Sequence, residues 1–243
     1  MSRNATIRAA ERGSPRTRFI RLLAAMLGLF GMTLAFAAHA QEPVRLNVYA
    51  IPSAAIEEAG TKASASLAGR GMTSFQARGH AVHATLYLTQ YPQGSEERLI
   101  AAIGALAHEQ ARIPLVITGA ERTPSDWLFL TLERSAALQR LADLVTRAAE
   151  PLRDHAVKPP EWMEAYPDKL PVFERYGSPN VFAQFDPHLT LLARETSPEL
   201  GAFMAQAKAD PPHAEGMVEG IGIGRVDADG QIVETLAEFR FPR

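Results

Sequence analysis

The sequence contains the same order of predicted elements twice, and this internal repeat constrains the fold more than any other feature. The first copy comprises these segments: a strand at residues 82–89, a helix that opens at Ser95, and strands at residues 113–118 and 127–132. The second copy comprises these segments: a strand from Pro187 to residue 192, a helix from Ser197 to Lys208, and strands at residues 218–226 and 232–241 around the turn Asp229-Gly230. We therefore expect a bilobal α+β fold, in which two pseudo-two-fold related strand-helix-strand-strand units place antiparallel sheets around a central cleft.

Outside the two copies, the sequence predicts one strand, one helix and an irregular connection. Residues 44–51 alternate as a strand before Pro52, while the Ala-rich residues 54–70 fit either a helix or a loop. Residues 135–153 carry an apolar stripe at helical spacing and are predicted to pack on the core. The proline-rich stretch that runs from there to about residue 180 cannot be one regular element. Because such a long connection is often a functional lid or edge, we expect it to form the rim of the active site.

Residues 1–40 have the organisation of a secretory signal. Arginines precede an apolar run over residues 22–37, and Ala38-His39-Ala40 is a small-x-small site of the kind that signal peptidase cleaves. The run is shorter than the roughly 20 apolar residues that a membrane-spanning helix needs. We therefore expect a signal peptide at 1–40 and a single bilobal domain at 41–243, exported across the inner membrane to the periplasm and free of the membrane afterwards. A retained N-terminal anchor helix is the alternative.

Charge and cysteine content limit the partners of the predicted mature chain. Residues 1–40 hold six Arg and one Glu, so 19 basic and 26 acidic residues remain, a formal charge of −7. Tight binding to long nucleic acid depends on many Lys and Arg and is therefore not expected, whereas one local basic group suffices for a small phosphate ester. The absence of cysteine excludes disulfides, thiolate nucleophiles and Cys-ligated zinc. A monomer is expected.

The first strand of each copy carries a His-x-Thr-Leu tetrad, His83 to Leu86 and His188 to Leu191. Alternate side chains of a strand share a face, so each His lies beside its own Thr while the Leu points to the opposite, buried layer. One imidazole, with an ordinary pKa of about 6.5, can accept a proton from an attacking water or hydroxyl while the other donates one to a leaving oxygen. Thr85 and Thr190 can donate to non-bridging phosphoryl oxygens. This duplication indicates a catalytic pair for phosphodiester chemistry that requires neither metal nor cofactor.

With the tetrads His83-Ala84-Thr85-Leu86 and Pro187-His188-Leu189-Thr190-Leu191 and the terminal hairpin, the chain resembles the two-histidine (2H) phosphoesterase superfamily. This superfamily includes the 2'-5' RNA ligase-like and RNA 2',3'-cyclic phosphodiesterase proteins. The resemblance covers nearly the whole mature chain. It implies a bilobal fold with a pseudo-two-fold cleft, catalysis by both histidines, and 2',3'-cyclic phosphates or related 2'-5' and cyclic phosphodiesters as substrates. Members that act on RNA ends often place an Arg just after the second motif, and Arg194, one residue later, is the corresponding candidate for substrate binding.

Two further features near the first motif concern substrate and metal binding. In a regular strand, Tyr87 lies on the same face as His83 and Thr85. It is therefore a candidate to stack on a base or to hydrogen-bond a phosphate, with packing at the cleft edge as the alternative. His80 and His83 are three residues apart in an extended segment and point to opposite faces. A metal ion shared by these two histidines is therefore not expected.

The two tetrads together predict a metal-independent phosphodiesterase that hydrolyses 2',3'-cyclic phosphate or 2'-5' phosphodiester substrates by two-histidine acid-base catalysis. Within enzymes, the same pair can run the reverse ligation or act on a cyclic sugar phosphate. From a different class of protein, a module that binds a phosphorylated ligand in the same cleft without turnover is the alternative. The expected partner is a small nucleotide or another cyclic phosphodiester.

Overall fold

The predicted order of elements is present in the computed structural model, which describes residues 42–242. The predicted signal at residues 1–40 lies outside these described residues and stays a prediction. The helices and strands are as follows: β1 (Val44–Pro52), α1 (Ala54–Ala68), β2 (Ala84–Tyr91), α2 (Glu96–His108), β3 (Ile113–Arg122), β4 (Leu128–Leu132), α3 (Ala136–Ala149), α4 (Leu170–Tyr176), β5 (His188–Leu192), α5 (Glu199–Ala209), β6 (Ala214–Val226) and β7 (Ile232–Arg240). The Ala-rich segment after β1 is therefore a helix.

The strands pair antiparallel throughout and close into a ring. The ring runs β1, β2, β5, β4, β3, β6 and back to β1, with β7 paired to the outer side of β6. β6 belongs to two sheets, because Ala214 to Val218 pair with β3 while Val218 to Arg225 pair with β1. We call the two halves the β1 sheet (β2, β1, β6 and β7) and the β4 sheet (β5, β4, β3 and the start of β6). The ring thus joins two lobes through a shared strand.

The two repeated units are interleaved. β2 of the first unit lies in the β1 sheet with the β6–β7 hairpin of the second unit. β5 of the second unit lies in the β4 sheet with the β3–β4 hairpin of the first unit. The motif strand of each unit therefore lies in the same sheet as the hairpin of the other unit. The expected α+β fold of two related units with antiparallel sheets is confirmed, with this exchange added.

Helices cover the outer faces of the sheets and leave the motif faces to the cleft. α3 packs on β2 and on α2, which also contacts β6 and β7, while α1 and α5 pack on strands of the β4 sheet. α3 begins after Ser135, whose Oγ accepts from the backbone N–H of Leu138 at 3.2 Å, as an N-cap residue should. The buried core includes Leu86 of β2, Leu130 of β4 and Leu189 of β5. These apolar faces bury one side of each motif strand and so aim the other side at the cleft.

The proline-rich connection consists of short 3₁₀ turns and α4, and it packs against β2. The hydroxyl of Tyr87 donates to the carbonyl of Tyr176 at 2.5 Å, and the hydroxyl of Thr89 donates to the carbonyl of Gly177 at 2.7 Å. Two side chains of the β2 core face thereby fix the end of α4. Among the residues described, no helix has both the length and the apolar character needed to cross a membrane.

Candidate active site

The two motif strands meet at a single backbone pair, and this pair sets the geometry of the site. Ala84 of β2 pairs antiparallel with Leu189 of β5, and both side chains are buried on the core face. Continuing the register by one residue in each direction places each histidine opposite the threonine of the other motif: His83 opposite Thr190, and His188 opposite Thr85. Residues directly opposite in such a pair lie on one face with Cβ atoms about 4.5–5.5 Å apart, and diagonal neighbours about 7–8 Å apart.

The crossed arrangement brings the four sequence-predicted site residues to one face. His83 and Thr190 line a common small pocket with His80 and Gln231. Burial lowers the pKa of His83 most, and a positive charge on His188 lowers it further, as expected for rings on one diagonal. The two imidazoles therefore flank one location, and a hydroxyl lies next to each.

Both imidazoles are oriented by the same local device. His83 Nδ1 lies 2.9 Å from the carbonyl oxygen of Ala81, and His188 Nδ1 lies 2.8 Å from the carbonyl oxygen of Asp186. A carbonyl can only accept, so Nδ1 carries the proton in both neutral rings. Each Nε2 then has a free lone pair, which a general base requires, and protonation of either Nε2 converts that ring into a general acid.

Burial lowers the pKa of both histidines. For His83, which is 7 % exposed, loss of hydration outweighs the hydrogen bond to Ala81, and the charge of His188 adds to the lowering. For His188, burial again lowers the pKa most, the carbonyl and carboxylate of Asp186 oppose it, and the charge of Lys169 lowers it further. Neutral rings are therefore favoured at a lower pH than for an exposed histidine.

The hydroxyl of Thr85 accepts a hydrogen bond from a buried amide. Asn47 of β1 is fully buried, and its Nδ2 donates to Thr85 Oγ1 at 2.9 Å. Because this amide uses one acceptor position of the hydroxyl, the hydroxyl's own proton is free to be donated elsewhere. A phosphoryl oxygen on the cleft face is a suitable acceptor. Sequence reasoning missed Asn47, since its contact depends on a strand pairing that the sequence does not state.

An aromatic side chain supports each imidazole from the neighbouring strand. Tyr49 of β1 pairs opposite Thr85, and its ring meets His83 edge-on with centroids 5.5 Å apart. Phe129 of β4 pairs opposite Thr190, and its ring stacks on His188 with centroids 3.9 Å apart. The two positions are equivalent in the two lobes. Sequence reasoning missed both, although each occupies the cleft face of a predicted strand.

The two aromatic positions differ in exposure, which makes the cleft asymmetric. Tyr49 is only 3 % exposed, because it packs with Ile51 and Ile232 and its ring lies over Gly222. Phe129 is half-buried, and so is Trp127, which directly precedes β4 and whose ring lies 6.2 Å from that of Phe129 between centroids. The open aromatic surface beside the histidines therefore belongs to the β4 sheet.

A β-bulge in β2 changes the predicted role of Tyr87. Thr85 and Tyr87 pair with adjacent residues of β1, so Leu86 is the extra residue of a bulge. The bulge reverses the alternation, and both Leu86 and Tyr87 enter the core. Tyr87 is 0 % exposed, and its hydroxyl donates a hydrogen bond to the backbone. Burial raises the pKa of Tyr87. The side chain therefore has no surface with which to contact a substrate. The expectation that Tyr87 binds substrate is thus corrected.

The second motif contains the same bulge. Thr190 and Leu192 pair with adjacent residues of β4, and Leu191 is the extra residue. As in the first motif, the bulged leucine and the residue after it are both buried. A bulge next to each His-x-Thr pair ends the alternation there and turns the strand, which is a common use of bulges near functional sites.

Arg194 lies two residues after the end of β5 in a left-handed backbone conformation, with φ of 48°. Its guanidinium forms an ion pair with Asp229 in the β6–β7 turn and lies 5.7 Å from the ring centroid of Trp127. The side chain is 62 % exposed. Arg194 therefore links the end of β5 to the other sheet's hairpin, beside the aromatic surface, and its predicted contact with substrate stays a prediction.

His80 takes a separate structural role near the site. Its Nδ1 lies 3.1 Å from the carbonyl oxygen of Ile232, and its ring meets Phe75 edge-on at 5.7 Å. Within residues 42–242, no group of three or more His, Asp or Glu side chains is arranged to hold a metal ion.

Comparisons with known proteins place the architecture among solved folds. The family model of the 2'-5' RNA ligase superfamily matches residues 65–230. The crystal structure of TT0787 from Thermus thermophilus is similar in fold, with a TM-score of 0.52 and 19 % identity over 81 % of this chain and 97 % of that chain. The apo structure of Escherichia coli LigT gives a TM-score of 0.49 and 15 % identity over 84 % of this chain and 100 % of that chain. No curated protein matches the sequence significantly.

Proposed function

Since the chain belongs to the 2'-5' RNA ligase superfamily, we propose that it is a metal-independent phosphodiesterase that hydrolyses 2',3'-cyclic phosphate or 2'-5' phosphodiester substrates. The single observation that carries this proposal is the crossed His-Thr arrangement set by the pair Ala84 and Leu189. It provides two proton-transfer groups and two hydroxyl donors around one position. A phosphodiester needs these groups on opposite sides of its phosphorus atom.

The proposed reaction on a cyclic phosphate needs two proton transfers. The Nε2 of one neutral imidazole takes a proton from water as the water oxygen bonds to phosphorus. The bond from phosphorus to the ribose oxygen breaks, and the imidazolium of the other histidine protonates that oxygen. The carbonyls of Ala81 and Asp186 keep each Nδ1 proton in place, so that Nε2 faces the reaction in both rings. Thr85 and Thr190 donate to the non-bridging oxygens, where negative charge increases.

The aromatic surface of the β4 sheet supports a nucleotide as the substrate. Phe129 and Trp127 are half-buried on the cleft side, next to His188. A nucleobase stacks on such rings with about 1–3 kcal/mol per base. The equivalent Tyr49 is buried, so a base bound at this centre has its stacking partner in the β4 sheet.

The test compares single histidine variants on a 2',3'-cyclic nucleotide. His83→Ala and His188→Ala are each expected to lower kcat by about 100-fold to 10,000-fold, because each removes one proton-transfer group. His108→Ala is the matched control, since His108 is exposed in the last turn of α2, and it should keep the wild-type rate. Wild-type rates in both cleft variants would refute the proposal. Binding of a nucleoside monophosphate by calorimetry, without turnover of any cyclic phosphate, would instead identify a binding module.

A further inference from the structure

Asn47 is a buried polar residue whose side chain satisfies only part of its hydrogen-bonding capacity. It lies on β1 between the core residues Leu46 and Val48 and is 0 % exposed. Its Nδ2 donates to Thr85 Oγ1 at 2.9 Å, whereas its buried Oδ1 accepts from no donor within residues 42–242. A buried amide oxygen without a donor lowers stability, so packing alone gives no reason for an asparagine here.

The surroundings of Asn47 keep its amide directed at Thr85. Alternation along β1 places Asn47 on the same face as Tyr49, which pairs opposite Thr85. On the other side of β1, Gly224 of β6 pairs opposite Asn47, and the side chain of Ile232 lies against this glycine. An enclosed side chain of this kind keeps a single orientation, because the space around it is filled.

The second motif has a different residue at the equivalent position. Tyr49 and Phe129 are the aromatic residues that support the two imidazoles, and counting two residues back from each gives Asn47 in β1 and Trp127 directly before β4. Trp127 is half-buried, and its ring lies beside that of Phe129 and near the guanidinium of Arg194. The two motifs therefore share their bulges and aromatic supports, but an amide at this position belongs to the first motif only.

We infer that Asn47 is a positioning residue that makes Thr85 a stronger hydrogen-bond donor to the substrate than Thr190. A hydroxyl that accepts one hydrogen bond becomes a better donor through its own proton, and a donor aligned in advance needs no reorientation as charge develops on a phosphoryl oxygen. This inference rests on the proposed function and concerns the same centre. It makes the two non-bridging oxygens unequal, because the one that faces Thr85 is stabilised more in the transition state.

A double-mutant cycle on turnover of a 2',3'-cyclic nucleotide tests the inference. Asn47→Leu keeps the approximate size of the side chain and removes its amide. It is expected to lower kcat by about tenfold with a smaller change in KM, because the contact that it weakens forms fully only in the transition state. In a Thr85→Val background, which has no hydroxyl to align, the same substitution should lower kcat by less than about twofold. An equal loss in both backgrounds would overturn the inference.

Stability separates positioning from a purely structural role. Leucine leaves no buried polar atom, so Asn47→Leu should unfold at the same urea concentration as the wild type or a higher one, although it is less active. Thr146→Val is the matched control, since Thr146 Oγ1 is also buried without a partner among the described residues, in α3 on the outer side of β2. It should be at least as stable as the wild type and fully active. If Asn47→Leu loses stability and activity together, the inference is wrong.

Sulfur substitution reports the unequal treatment of the two oxygens. In the two diastereomers of a 2',3'-cyclic phosphorothioate, sulfur, a weak hydrogen-bond acceptor, replaces one or the other non-bridging oxygen. The wild type should hydrolyse one diastereomer about tenfold more slowly than the other, as the loss of one good hydrogen bond provides. Asn47→Leu should bring the two rates closer together, and an unchanged ratio would contradict the inference.

Failure of the inference and failure of the proposed function give different results. The proposed function stands, whatever the Asn47 variants do, if the wild type hydrolyses the unmodified cyclic nucleotide and His188→Ala does not. If the wild type turns over no cyclic phosphate, the proposed function fails. The cycle of Asn47→Leu and Thr85→Val is then measured as calorimetric affinity for a nucleoside monophosphate, where independent effects of the two substitutions would overturn the inference.

Discussion

His83 is buried and His188 is half-buried, and the loss of hydration lowers the pKa of both rings. Burial is the largest cause of the lowered pKa in both rings, so each stays neutral below the ordinary value of about 6.5. The base must be neutral and the acid protonated in the same free enzyme. Both limbs of the kcat/KM profile therefore move to lower pH, and its maximum is expected on the acid side of about 6.5.

The kcat profile should lie at higher pH than the kcat/KM profile. A bound phosphate carries negative charge, which stabilises the imidazolium form and raises the pKa of the acid in the complex. Both profiles can be measured on a 2',3'-cyclic nucleotide between about pH 4.5 and 8.5. A maximum of kcat/KM well above pH 7 would contradict the effect of burial on the two rings.

At the scale of residues, the prediction of a site rested on repetition rather than on residue type. A single His-x-Thr is common in strands, whereas two copies at equivalent positions of a repeat indicated His83 and His188 as a pair. Asn47 and Phe129 could not be found in this way, because each reaches its motif across a strand pairing. Tyr87 was wrongly expected in the cleft, since side chains alternate between the two faces only in a strand without a bulge.

At the scale of elements, the bulges explain both that error and the signal that could have prevented it. The pairs Leu86-Tyr87 and Leu191-Leu192 are consecutive apolar residues directly after each His-x-Thr. Consecutive apolar residues break the alternation of a half-buried strand, which a bulge permits. Their presence in both copies would have indicated a shared irregularity. The length of β6 was also underestimated, because pairing with β3 extends it back to Ala214.

The close approach of β6 to β1 gives a prediction at the same scale. A Cβ at Gly222 would lie 2.2 Å from Tyr49 Cζ, and Tyr49 supports His83. Gly222→Ala is therefore expected to lower the free energy of unfolding by about 1–3 kcal/mol, as overpacking does. It should also lower kcat, because the displaced Tyr49 ring no longer supports the imidazole.

Gly201→Ala is the matched control for that substitution. Gly201 lies in α5, and a Cβ there would meet no heavy atom within 4 Å. Alanine is favoured over glycine in a helix by about 0.8–1 kcal/mol, so this variant should be slightly more stable and fully active. Urea unfolding and turnover of a cyclic nucleotide check both variants. A Gly222→Ala protein with wild-type stability and turnover would show that Tyr49 does not need its present position.

At the scale of the whole molecule, the sequence predicted the two units but not their exchange of strands. Local periodicity places β2 with α2 and β5 with α5, whereas partners such as Ala84 and Leu189 are more than 100 positions apart. Pairings of this kind depend on which faces can be buried together, and strand periodicity carries no such information. The central cleft could therefore be predicted from the pseudo-symmetry, while the closed ring could not.

The closed ring predicts that the two lobes unfold together. β6 contributes backbone hydrogen bonds to both sheets, and β2 and β5 close the ring on the other side, so the loss of one sheet removes edge partners from the other. Trp127 and Trp162 are the two tryptophans, and in a Trp162→Phe background fluorescence reports only Trp127, which directly precedes β4. Gly222→Ala changes only the β1 sheet. In urea, the Trp127 transition should nevertheless move to lower concentration by the same amount as the far-UV signal of the whole chain. A Trp127 transition that stays in place while the far-UV signal splits in two would mean that each lobe folds independently.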